Sequence, residues 1–285
     1  MSRRYIDQLG TRHEQANGPV RIVSLVPSLT ELLCALGLTN QIVGRTGFCI
    51  HPRELTRRIP KVGGTKTVDL EAVRALAPTH LVVNVDENLL ETVEALRTVV
   101  PSIIVTHPLG PLDNLLLYRL LGGIFDCDAQ AEHLCRKFTA AYTGSTSSTE
   151  TRAAPARVLY LIWREPWMTV SRDTYISRTL AAFGWQTWAS PRAERYPVLH
   201  LEECRDAVDR VLLSSEPYAF REKHVGEIER TLPGVPVDLI DGEMVSWYGP
   251  RAIDGLHYLA EFTAARTTMD QKGPQTLRRN CPPTA

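Results

Sequence analysis

Leu70-Glu71-Ala72-Val73-Arg74, leading into Leu81-Val82, returns at an offset of 131 as Leu201-Glu202-Glu203-Cys204-Arg205, leading into Leu212-Leu213. Each copy reads as a short helix feeding an apolar strand, and the segments around them repeat in the same order. Before this unit the first copy has the β-branched run Arg21-Ile-Val-Ser-Leu-Val26, and the second has Val158-Leu-Tyr-Leu-Ile162. The strand inside the unit is His80-Leu-Val-Val-Asn-Val85 in one copy and Arg210-Val-Leu-Leu-Ser214 in the other. After it come Ser102-Ile-Ile-Val105 and Val237-Asp-Leu-Ile240. Short apolar runs closed by Pro, Asp, Asn or His are strand signals, and a repeat of this length is a domain duplicated within one chain.

Helical patterns fill the intervals. Ser28-Leu-Thr-Glu31 reads as a capping box ahead of the apolar face Leu29, Leu32, Leu33 and Leu36, with Gly37 as the stop. Leu89, Val93 and Leu96 mark a later helix. Alternating strands and helices predict an α/β fold: two Rossmann-like lobes with parallel sheets. The expected boundaries are an N-terminal extension over 1–19, a first lobe over 20–125, a connector over 126–155, a second lobe over 156–267 and a disordered tail over 268–285. Within the connector, Ala131, Leu134, Cys135 and Phe138 lie on helical spacing, whereas Gly144-Ser-Thr-Ser-Ser-Thr149 reads as a frayed end. One long helix therefore joins the lobes, with a ligand cleft between them that closes only slightly.

Bulk properties narrow the function. The chain has 285 residues, 44% hydrophobic and 22% charged, with Lys+Arg and Asp+Glu both at 32. Zero formal charge gives no electrostatic basis for nucleic-acid binding. No run of 18 apolar residues is present, and Met1-Ser-Arg-Arg4 has no apolar stretch behind it, so the sequence as written predicts a cytoplasmic protein, or a periplasmic one if a leader has been removed. The six cysteines show neither CxxC nor zinc-finger spacing and read as free thiols. No phosphate-loop, dinucleotide, nucleophile-elbow or HExxH motif occurs, so the chain does not read as an enzyme and no covalent cofactor is expected.

Ligands of parallel sheets bind beyond the carboxyl ends of the strands. Those ends carry Phe48 and His107 in the first lobe, and Trp163, Arg164, Trp167, Glu216, Tyr218, Trp247 and Tyr248 in the second. Aromatic walls with a few charged groups suit a large, flat, partly apolar ligand, and the aromatics also suit plain local core. Cys49 and His51 form a Cys-x-His pair, a weak metal signal because the further ligands of a tetrahedral site are not visible. His51 reads equally as structural.

The sequence resembles the class III substrate-binding proteins of ABC importers, the family of vitamin B12- and ferric-siderophore-binding proteins. The marks are Arg21 through Glu31 with Gly37, Lys61-Val-Gly-Gly64 before Asp69-Leu-Glu71, Ala77-Pro78, and, in the helical backbone metal receptor subgroup, Trp163 through Ile176 and Asp241 through Gly249. The resemblance implies a monomer that binds a metal chelate and hands it to a permease dimer. It also implies that Glu71 and Glu202 dock onto permease arginines. Two positions that are tryptophan in the B12-binding member fall here near Thr65-Lys66 and at Asn84, so cobalamin, ferric siderophore and haem all remain as cargo. Two alternatives carry over: a cytosolic corrinoid or metal-chelate carrier, and a two-lobed enzyme acting on a metallocluster or tetrapyrrole.

Overall fold

The structure, a computed structural model, describes residues 4–147 and 155–272. The first sheet contains β3 (Ile22–Ser24), β4 (Ile42–Arg45), β5 (His80–Asn84) and β6 (Ser102–Thr106), all parallel, in the order β4-β3-β5-β6. The second contains β7 (Ala156–Leu161), β8 (Trp185–Thr187), β9 (Arg210–Ser214) and β10 (Val237–Ile240), also parallel, in the order β8-β7-β9-β10. The two orders are the same topology, as the repeat predicts. The pattern left β4 and β8 unread, because Ile42-Val-Gly-Arg45 and Trp185-Gln-Thr187 carry too few apolar residues to stand out.

Strand alternation divides the interior into layers. In β7, Val158 and Tyr160 face the cluster shared with the connecting helices, while Leu159 and Leu161 face an outer cluster. In β5, Val82 faces the shared cluster, while Leu81 and Val83 face outward. Both faces of each strand are thus buried, as a parallel sheet requires.

Helices α1 (Pro27–Ala35), α2 (Arg53–Thr56), α3 (Leu70–Ala75) and α4 (Leu90–Leu96) belong to the first lobe. Helix α5 (Asp113–Ile124) follows β6 and packs on α6 (Asp128–Thr146), the long connecting helix. The second lobe carries α7 (Tyr175–Ala181), α8 (Glu222–Thr231), α9 (Gly242–Ser246) and α10 (Arg251–Lys272). Helix α6 buries Ala131, Leu134, Cys135, Phe138 and Ala141, one stripe at helical spacing, and packs on α10.

Four local expectations are corrected. The capping box at Ser28 does not form: Pro27 opens α1, Val26 is the N-cap without a side-chain bond, and Glu31 instead pairs with Arg251. Proline at the first helical position lacks the N–H that a cap would satisfy. The connecting helix does not fray at Gly144 but continues to Thr146. The tail expected over 268–285 begins as helix, since α10 runs to Lys272, and the rest of that segment lies outside the described residues. The repeat of α3 at Leu201–Cys204 is a 3₁₀ turn.

Residues 1–19 contain a built element. Strands β1 (Arg4–Ile6) and β2 (Arg12–Glu14) form an antiparallel hairpin against the free edge of β6. Asp7 fixes it: its Oδ1 accepts from the backbone N–H groups of Leu9 and Thr11, and its Oδ2 from Val105 N–H at 3.0 Å and from His13 Nε2 at 3.1 Å. The Gln8 N–H donates to Val105 O. His13 Nδ1 lies 3.3 Å from Ser102 Oγ. Asp, His and Ser are the residue types of a hydrolytic triad, but here the aspartate's bonds are spent on backbone, and the set staples a hairpin over an open strand edge.

The lobes meet at Gly249. Its N–H donates to Asn114 Oδ1 at 2.7 Å, its carbonyl accepts from Tyr118 Oη at 2.8 Å, and Asn114 Nδ2 reaches Tyr175 Oη at 2.9 Å. Gly249 has φ +88, and a Cβ there would stand 3.1 Å from the Ser28 carbonyl and 3.4 Å from Leu32 Cβ. Glycine is required twice over, by conformation and by space.

Two outcomes follow from these fixed points. Burial raises the Asp7 pKa, but the bonds from His13, Val105 and Thr11 outweigh it and hold the carboxyl below its ordinary 3.8. The stability this group contributes is complete above 3.8 and is lost as pH falls through the lower folded value. Asp7→Ala should cost about 1–3 kcal/mol at neutral pH by orphaning buried donors, and should flatten the acid limb of a chemical-denaturation series. Gly249→Ala should cost about 1–3 kcal/mol through backbone strain and contact with α1, read as a lower thermal midpoint; an unchanged midpoint would contradict the joint.

Candidate functional site

The carboxyl ends of the two sheets face one another across a cleft. From the first lobe come the β4–α2 loop (Thr46–His51), the β5 end at Asp86 and Glu87, and the β6 end at His107. From the second come the loop after β7 (Trp163–Trp167), the β9 end at Glu216–Tyr218, and α9 with Glu243, Trp247 and Tyr248. Strand order fixes which ends are opposed. At one flank, after edge strands β4 and β10, His51 Nε2 lies 3.2 Å from Glu243. At the other, after β6 and β8, His107 Nε2 lies 3.3 Å from Asp86, which Arg195 also grips.

The aromatics expected as walls fall into two groups. Phe48 (63% exposed) and Trp163 (40% exposed) offer open ring faces, one from each lobe. Trp163 is steadied edge-on by Tyr218 at 5.7 Å. Trp167 is half-buried and stacks on Phe220 with 5° between the planes, under the Arg164 guanidinium. Trp247 and Tyr248 are buried. Trp247 packs edge-on to His51 and beneath Arg251, while Tyr248 packs against Tyr175, so both form the cleft's base rather than a free wall.

Arg164 and Glu216, expected to contact ligand, already hold partners, and so do the neighbouring Arg195 and Arg251. Arg164 binds Glu227 with both Nε and Nη2, at 3.0 and 3.2 Å. Arg195 binds Asp86 in the same forked way, at 3.0 and 2.8 Å, and reaches Asp173. Arg251 binds Glu31 through Nε and Nη2 and Glu243 through Nη1. Glu216 accepts from the Trp247 indole N–H and the Ser246 hydroxyl, with no cation among its bonds. Burial raises its pKa, and Glu243 and Asp241 add to that.

Sequence reasoning missed Glu87. Its Oε1 accepts the Tyr248 hydroxyl at 2.7 Å across the lobes. Burial pushes its carboxyl up to about 7, opposed by the Tyr248 bond and reinforced by Glu216 and Asp86, with exposed Lys66 acting weakly the other way. Its position just past Asn84-Val-Asp86, at the end of an interior strand, was the available signal. Asn114 and Arg195 were also missed, since each acts across the lobes at a distance no local pattern reveals. At the cleft base, then, two carboxyls from opposite lobes, Glu87 and Glu216, sit without a guanidinium partner.

Cys49 is sealed in the core, with Thr30 and Thr46 hydroxyls each 3.1 Å from its Sγ, and burial raises its pKa. A buried thiol kept protonated is a poor ligand. His51 is spent on Glu243. Among the described residues no group of three or more His, Cys, Asp or Glu is arranged to hold a metal ion. No helix among them is long and apolar enough to cross a membrane. Glu71 and Glu202 stand apart from the cleft, both exposed, each just inside its helix.

A family model described as periplasmic binding protein matches residues 22–224. The chain is 37% identical over 79 residues to an uncharacterised ABC transporter substrate-binding lipoprotein of Bacillus subtilis, a match spanning 28% of this chain and 24% of that one. It is 25% identical over 203 residues to the vitamin B12-binding protein of Vibrio parahaemolyticus, spanning 70% and 72% of the two. Among solved structures, the periplasmic vitamin B12-binding protein of Vibrio cholerae superposes with a TM-score of 0.75 at 15% identity, covering 87% of this chain and 97% of that one. The apo periplasmic haem-binding protein of Roseiflexus sp. RS-1 gives 0.73 at 23%, covering 87% and 98%. These structural likenesses establish the fold. With the family match across most of its length and two duplicated lobes bridged by one helix, the chain belongs to the periplasmic binding protein family.

Proposed function

We propose that this binding protein carries a corrinoid, a metal chelate rimmed with carboxamides, in preference to a carboxylate-rimmed porphyrin. The observation that carries the reading is the cleft base: Glu87 and Glu216 face the cargo space as carboxyls, while Arg164, Arg195 and Arg251 are each committed to a carboxylate. Amide N–H groups find acceptors there. The carboxylates of a porphyrin would meet the acceptors Glu87 and Glu216 there, and an unpaired charge in a closed site is costly. The B12-binding relative that spans 70% of the chain supports the same choice. Phe48 and Trp163, open and on opposite lobes, supply the apolar faces for a flat ring, with Tyr218 and Trp167 behind Trp163. The compartment is read from the family's periplasmic description and the lipoprotein relative, in place of the cytoplasmic expectation drawn from the N-terminus.

We assign Glu71 and Glu202 to permease docking. Both are exposed at the starts of the duplicated helical segments, so the two lobes present like charges in equivalent places to a symmetric partner. Glu71 holds Arg74 at 2.6 Å in an exposed pair, an interaction weak enough to exchange for a permease arginine.

Titration of the purified protein with cyanocobalamin, haemin and a ferric siderophore, followed by tryptophan fluorescence, tests the cargo. Cyanocobalamin should quench saturably, and Trp163→Ala and Glu87→Gln should each weaken it about tenfold. Tighter binding of haemin or of the siderophore would overturn the corrinoid assignment. For docking, Glu71→Arg combined with Glu202→Arg should leave cyanocobalamin affinity unchanged and abolish uptake in cells carrying the cognate permease. Uptake at the wild-type rate would remove both residues from the interface.

A further inference from the structure

The contacts that cross between the lobes include two of different physical kinds. Those at Gly249 are buried and neutral, made of a backbone amide, a carbonyl, an asparagine and two tyrosines, and nothing in them titrates or exchanges readily with water. Arg251 with Glu31 lies beside them, its side chain 13% exposed and its partner 15%. The contact at the β6/β8 flank differs. Arg195 lies in the loop between β8 and the 3₁₀ turn at Leu201–Cys204, with its side chain 27% exposed. Its backbone is fixed to the second lobe, because Ser171 N–H donates to Arg195 O at 2.8 Å and Thr169 N–H to Pro197 O at 3.1 Å. Only its side chain leaves that lobe, forking onto Asp86 of the first. Asp86 immediately precedes Glu87, so the fork sits one residue from the carboxyl assigned above to the cargo.

We propose that Arg195 is a latch on the cleft: it holds Asp86 across the mouth in the cargo-free protein and must release it for cargo to reach Glu87. This rests on the reading of the cleft as the cargo site. Three features fit a latch better than a brace. Arg195 has a second carboxylate on its own lobe, Asp173 at 2.9 Å, which can hold the guanidinium once Asp86 is released. Asp86 has an alternative partner on its own lobe, His107 at 3.3 Å. Neither charge is stranded by opening, so the large penalty for breaking a buried pair does not apply. Tyr196, next to Arg195, packs against the shared core and anchors the arm on which the guanidinium swings. A partly exposed forked pair biases a two-state equilibrium by a modest factor, which is what a gate opening without an energy source needs.

Stopped-flow mixing with cyanocobalamin, and amide hydrogen exchange of the cargo-free protein, test the latch together. Arg195→Ala should speed association about fivefold, the size of one partly exposed ion pair, and should raise exchange in residues 84–88. Asp86→Ala should do the same, and the double variant no more than either alone. Arg195→Lys, which keeps a cation on Asp86 and Asp173, should stay close to the wild-type rate, which excludes a general loosening of the fold. Added salt should accelerate the wild type and leave Arg195→Ala unaffected. Unchanged association and unchanged exchange in Arg195→Ala would overturn the proposal. If cyanocobalamin binds none of these proteins, the cargo reading fails, and exchange at 84–88 still decides the latch: no change there removes it.

Discussion

Everything about the cleft depends on how closely the second lobe's chain can approach α1 at Gly249. With φ +88 and the Ser28 carbonyl 3.1 Å from where a Cβ would stand, the backbone itself is the contact surface. Asn114 and Tyr118 then satisfy the amide and carbonyl that this approach buries. Both come from α5, which is welded to the connecting helix, so the joint ties α1, α5 and the second lobe together at one point. Such a joint fixes the separation of the two sheet ends without filling the space beyond them. Trp247 and Tyr248, immediately before Gly249, are positioned by it as the cleft's base.

From that fixed base the polar groups sort by what can move. Hydrogen bonds among neutral, buried groups are costly to break because water cannot replace them quickly or completely, so the joint behaves as rigid. Ion pairs at the flanks are partly exposed and have alternative partners, so they exchange at small cost. Small lobe motions at the mouth are thus compatible with a single connecting helix, and large hinge closure is not.

The architecture was legible because duplication doubles the signal: Leu70-Glu71 through Leu81-Val82 and its copy at 201–213 fix two α/β units even where single strands are faint. What stayed hidden was whatever depends on a partner far along the chain. Glu31 looked like the end of a capping box because Glu three residues after Ser is a local pattern, yet Arg251 claims it from 220 residues away. The aromatics were recognised as a set, but no pattern distinguishes Trp163, which is open, from Trp247, which is buried, since both follow strand or helix ends in similar company. Glu87 gave only its place past a strand end: a carboxyl next to Asp86 in a loop reads as solvated until Tyr248 closes over it.

The duplicated lobes have diverged in chemistry while keeping topology, and the divergence is what makes a site. Two identical lobes would present identical groups across the cleft, acid facing acid and aromatic facing aromatic. Here the first lobe contributes Asp86, Glu87 and the open ring of Phe48, while the second contributes Arg195, Trp163 and the Tyr248 hydroxyl. The cross-lobe pairs Arg195–Asp86 and Tyr248–Glu87 are therefore complementary rather than repulsive. Glu216 is the exception, a second-lobe carboxyl facing Glu87 and raising its pKa. Among the described residues, the donors that reach these two carboxyls are the Tyr248 hydroxyl, the Ser246 hydroxyl and the Trp247 indole N–H.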